Sequence, residues 1–136
     1  GITQPKVPRV LSVKGNDAKV AGNVVIEGTD FAGATITDTI VAAGTGTIVG
    51  AKAFATITKI TLPPYNTAGT ETISIGLADA FGIPYKLPYD TILKIYNGGT
   101  ATTVASSSFS ATVLSSNYIV PTAGLNGTQV DVYLIV

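Results

Sequence analysis

A chain of 136 residues and 13.8 kDa fits one domain, long enough to bury a core without covalent staples. It has no cysteine, which excludes disulfides and thiolate metal centres, and no histidine, which removes the commonest general base. Charged residues are 12% of the chain and cancel to a formal net charge of zero. No basic stripe is therefore available for a nucleic-acid backbone, and no basic amphipathic segment for a membrane surface.

Residues 1–9 set Pro5 and Pro8 beside Lys6 and Arg9. Proline fixes φ and lacks a donor, so this segment reads as an extended N-terminal arm ahead of a domain over 10–136. Its start lacks the apolar core of a signal peptide, and no apolar run in the chain reaches the roughly 18 residues that cross a bilayer as a helix. Pro5, Lys6, Pro8 and Arg9 are candidate contact residues, and removing the arm is expected to leave the fold intact.

Beyond the arm, β signals dominate. Val20, Val24 and Ile26 share one face, with Lys19, Ala21, Asn23 and Glu27 mostly on the other. Ile36 and Ile40 flank Asp38, while Thr35, Thr37 and Thr39 form the opposite row, suited to a pleated surface by their branched Cβ. Over 52–62 the alternation breaks, because Phe54 and Ile57 differ in parity. The β-branched residues there predict a long strand with a bulge, or one buried on both faces, stopped by Pro63-Pro64. In Glu71-Thr72-Ile73-Ser74-Ile75 the apolar residues fall on odd positions.

Residues 77–90 are the least regular. Leu77-Ala78-Asp79-Ala80-Phe81 suggests one helical turn, and Pro84 and Pro88 follow with Tyr85 and Tyr89. Phe81, Tyr85 and Tyr89 are the second set of candidate contact residues, since aromatic side chains give large contact area at low entropy cost. Ser106-Ser107-Ser108 marks the end of one strand before another over 109–114. The last strand is the cleanest, with Val130, Val132, Leu134 and Val136 inward and Gln129, Asp131, Tyr133 and Ile135 outward. Turns are signalled at 15–17, 28–30, 44–46, 66–69, 97–99 and 126–127, where Asn-Gly favours tight type I′ hairpins. Short antiparallel strands with regular turns predict an all-β, single-domain β-sandwich, Ig-like or jelly-roll-like.

Chemistry is sparse. The eight acids are scattered, mostly at turns or on outward faces, and no tryptophan lines a cleft for glycoside chemistry. Asp17, Asp30 and Asp79 sit beside turn residues, but no D-x-D-x-D-G loop occurs, and Asx-turn capping accounts for them better than calcium. Gly44, Gly46 and Gly50 miss the dinucleotide spacing by one residue, and a hairpin turn fits them better. The expectation is a protein without catalytic residues, cofactor or metal. Sparse charge also gives little protection against association, which predicts that part of the surface is covered in the working state.

Several blocks carry a resemblance. Ile26-Glu27-Gly28-Thr29-Asp30-Phe31-Ala32-Gly33 matches an "I-x-G-T-D-x-x-G" turn, and Thr37-Asp38-Thr39-Ile40 the "T-E-T-I" strand after it, with Asp38 in place of Glu. Residues 50–60, opening Gly50-Ala51-Lys52-Ala53-Phe54, are similar to "G-x-K-A-F-K-T-V-T-x-I". Ser74-Ile75-Gly76 with residues 81–88 resembles a "V-G-x-x-D-x-L-G-L-P" continuation, and residues 125–133 the usual ending. In this order, over roughly 16–136, the blocks resemble small structural proteins of tailed-bacteriophage particles. The resemblance implies a virion protein, a head decoration (cement) protein on the capsid exterior, made in the host cytoplasm. The implied partners are the major capsid protein and further copies of the chain, as a trimer, with no nucleic acid and no membrane. A phage tail or receptor-binding component, and a secreted bacterial carbohydrate-binding module, are the alternatives.

Overall fold

The computed structural model describes residues 2–64 and 70–136; the turn expected at 66–69 lies outside them. The chain is all-β. Its strands are β1 (Arg9–Gly15), β2 (Ala21–Thr29), β3 (Thr35–Ala43), β4 (Thr47–Phe54), β5 (Thr56–Thr61), β6 (Ile73–Gly82), β7 (Ile92–Asn97), β8 (Thr100–Thr102), β9 (Val104–Ser108), β10 (Tyr118–Pro121) and β11 (Val130–Leu134). A single turn of 3₁₀ helix, Leu114–Ser116, precedes β10.

The strands form a β-sandwich of three antiparallel sheets. The largest has the order β4-β1-β6-β10-β9, and two smaller ones run β3-β2-β5 and β11-β7-β8. Alternation sets which faces meet. Leu11, Val13 and Phe54 from the large sheet meet Val24, Ile26, Ile40 and Ile57 from β3-β2-β5 in one core cluster. Ile95 of β7 and Ile119 of β10 build another with Ile83 and Leu87, and Val130, Val132 and Leu134 pack against it. A small third cluster joins Val10, Ala53, Ala78 and Ala80. Each fully buried aliphatic or aromatic side chain here contributes on the order of 1.5–3 kcal/mol of transfer free energy.

Four local expectations are corrected. Leu77, Ala78, Asp79, Ala80 and Phe81 belong to strand β6, not to a helical turn. Pairing with β1 on one side and β10 on the other outweighs the helical preference of alanine, and Ala78 and Ala80 are buried with strand alternation. Residues 52–62 are not one bulged strand. The chain breaks at Ala55, so that β4 and β5 lie in different sheets, and both Phe54 and Ile57 reach the same core cluster. The turn at 44–46 likewise carries the chain between sheets: β3 and β4 are joined there but share no ladder. Gly44, at φ 58°, allows the corner, donating its N–H to Val20 O (2.7 Å).

The fourth correction concerns 109–114, which is irregular rather than a strand. Asn117 explains it. This residue is fully buried, and its Oδ1 accepts from Leu87 N–H (3.1 Å) and Ser110 N–H (3.0 Å). Its Nδ2 donates to Ser110 O (2.9 Å), Val113 O (2.8 Å) and Leu114 O (3.3 Å). The side chain takes up backbone groups that a ladder would otherwise pair, and it pins two loops to β10. Among the signalled turns, 97–100 does form a tight hairpin, with Gly98 and Gly99 at φ 58° and 79° as a type I′ turn demands. Asn126-Gly127 instead lies in the connection between β10 and β11, which belong to different sheets.

Candidate interaction surface

The arm is docked rather than free. Gln4 pairs with the backbone of Ile57 in β5, Nε2 donating to Ile57 O (2.9 Å) and Oε1 accepting from Ile57 N–H (2.7 Å). Pro5 is buried, and the Pro8 carbonyl accepts from Gly82 N–H (2.8 Å). Arg9 opens β1, and its guanidinium donates to Ala78 O, 4.0 Å from Asp79 Oδ1. Burial pushes the Arg9 guanidinium below its usual value, while Asp79 pulls in the opposite sense. Of the four arm residues singled out from sequence, only Lys6 is freely exposed. These contacts tie the segment to β5 and β6.

The acids sit in structural roles. Asp17 Oδ1 accepts from Lys19 N–H (2.8 Å), and Asp30 Oδ1 from Ala32 and Ala34 N–H (2.9 and 3.0 Å), as Asx turns do. Asp79 lies on a strand, not at a turn, and accepts from Leu125 N–H (3.3 Å). Asp38 is buried, and its Oδ2 accepts from Ala51 N–H (2.8 Å) and Lys52 N–H (3.2 Å). It thereby occupies the outer edge of β4 and ties the two layers together. Gly50 makes room for that carboxylate, since a Cβ there would overlap Asp38 Oδ2. Glu27 pairs with Lys59 on the surface (2.9 Å), a contact worth little in solvent.

The aromatic set divides. Tyr89 is exposed, and Phe81 is half-buried against the core cluster of Ile83, Leu87, Ile95 and Ile119. Phe81 and Tyr85 line an open groove of about 480 Å³ that runs beside β11. Its other walls include Leu93, Val132, Leu134 and Val136, and among the described residues no charged one lines it. Leu93 and Val136 are 65% and 77% exposed; Leu93 is the residue skipped at the register shift between β7 and β11, where Leu134 lies opposite Ile92 and Tyr133 opposite Lys94. Residues of both parities in β11, Tyr133 as well as Val132 and Leu134, border the groove, so it follows the strand's outer edge.

Sequence reasoning placed Val136 inward and did not single out Leu93. The available signal was Ile135, an apolar residue in the outward row of the last strand. Such a groove suits an extended, uncharged segment and gives no purchase to phosphate or other anions. Comparison with protein-family models, curated proteins and solved structures finds no match to this chain.

Proposed function

We propose that the chain is a structural protein of a tailed-phage particle, a head decoration protein bound to the outside of the capsid. The observation that carries this reading is the ordered resemblance of its sequence blocks over 16–136 to that class. The geometry supports it in one respect: several residues of those blocks hold the fold together. Gly28 lies against Thr56 O where no Cβ fits, and Asp30 closes the turn after β2. Shared blocks of this kind speak for a shared scaffold and assign no reactive residue.

The role is passive in this reading, and the protein is non-catalytic. A sparsely charged β domain offers wide uncharged area to a repeating lattice, and exposed Tyr85 and Tyr89 supply anchors. The test is co-sedimentation with capsids that lack the protein. Saturation at a fixed ratio to capsomers is expected. Absence of binding refutes the decoration role, and selective binding on a glycan array would favour a carbohydrate module instead.

A further inference from the structure

The edges of the sheets are treated unequally. Asp38 takes up two N–H groups on the outer edge of β4, and Gln4 takes up both backbone groups of Ile57 on β5. Among the described residues, no side chain does this for β11, the outer strand of β11-β7-β8. An apolar strand edge left open is a template for pairing with another strand.

The direction of its backbone groups can be read. Ile135 donates its N–H to Thr91 O (3.2 Å) and accepts at its carbonyl from Thr91 Oγ1 (2.6 Å). Ile135 therefore faces the β7 side. Backbone groups alternate along a strand, so those of Leu134 and Val136 face the open side. Leu134 lies opposite Ile92 in this arrangement, next to the register shift at Tyr133.

We infer that β11 is a self-pairing edge, and that its partner is β11 of a second copy of this chain, antiparallel and centred on Leu134. In that register Leu134 meets its own twofold mate as a hydrogen-bonded pair. Val132 faces Val136 of the second copy, and Tyr133 faces its Ile135. The side chains that face one another in these pairs are uncharged. Val132, Leu134 and Val136 also border the uncharged groove, so pairing sets the grooves of the two copies side by side. A segment bearing charge finds no complement there, whereas this strand matches itself. The contact is isologous and closes as a dimer, in place of the trimer expected from the sequence. It does not depend on the virion reading.

Sedimentation of the full chain across the micromolar range tests this. A concentration-dependent species of twice the monomer mass is expected, with the amides of Leu134 and Val136 exchanging slowly only when that species dominates. Tyr133 and Ile135 are both exposed, so they can be charged without disturbing the core. Y133K/I135K sets lysine against lysine across the axis and should weaken self-association about a hundredfold. Y133K/I135E sets lysine against glutamate and should restore it, while circular dichroism shows both variants folded. A wild type that stays monomeric, a trimer, or a dimer indifferent to the two charge patterns overturns the inference.

Discussion

Asn117→Ala isolates what one buried amide contributes. The substitution removes the acceptor of Leu87 and Ser110 N–H and the donor to Ser110 O. Two other carbonyls keep a partner: Leu114 O accepts from Asn117 N–H (3.0 Å), and Val113 O from Ser116 N–H (3.2 Å). Three backbone groups are therefore stranded. At about 1–3 kcal/mol per unsatisfied buried group, and with water reaching the half-buried Ser110, the loss is about 3–6 kcal/mol. That is a large fraction of the roughly 5–15 kcal/mol that holds a domain together. Urea unfolding followed by tyrosine fluorescence measures it, and the melting temperature should fall by at least about 10 °C. Asn117→Asp separates hydrogen bonding from shape. It keeps the acceptor, loses the donor, and sets a carboxylate among carbonyl oxygens, which favours the protonated acid in the folded state. The folded form then binds more protons than the unfolded one, so this variant gains stability relative to the parent as pH falls from neutral to about 4. A loss below about 1 kcal/mol for the alanine variant would refute the argument.

Gly28→Ala drives a Cβ into Thr56 O and the Phe54 ring, and should cost about 2–4 kcal/mol by chemical denaturation as β5 is displaced. Asp38→Ala strands the Ala51 and Lys52 amides, so faster hydrogen exchange at those two sites and a loss of about 2–4 kcal/mol are expected. Gln4→Ala removes both bonds to Ile57 and should lower stability by about 1–2 kcal/mol in the same assay, where a free arm would give no change.

The sequence was most legible where alternation and burial agree. Val24, Ile26, Ile40 and the inward row of β11 are examples, because one face of each strand meets a core. It was least legible where the chain changes sheets. At Ala55 and at 44–46 the local pattern still reads as strand or hairpin, and only the partners across the sandwich decide which sheet each half joins. Gln4 and Asn117 were invisible because nothing in the sequence marks a polar residue as a backbone substitute: Gln4 bonds a residue 53 positions away, and Asn117 joins its own loop at 110–114 to Leu87, 30 positions away. The candidate contact residues differ in position: Tyr85 and Tyr89 are exposed, whereas Pro5 is buried and Arg9 opens β1.

The position of β1 has a consequence for how the chain is made. Of the eleven strands among the described residues this one is made first, yet it lies inside the largest sheet, between β4 and β6. Its Leu11 and Val13 cannot be covered on both flanks until residues 73–82 have been synthesised. Pairing at such separation in sequence is slow, because loop closure precedes any gain from the contact. During synthesis the nascent chain therefore carries an apolar strand that lacks one of its two partners until β6 is made.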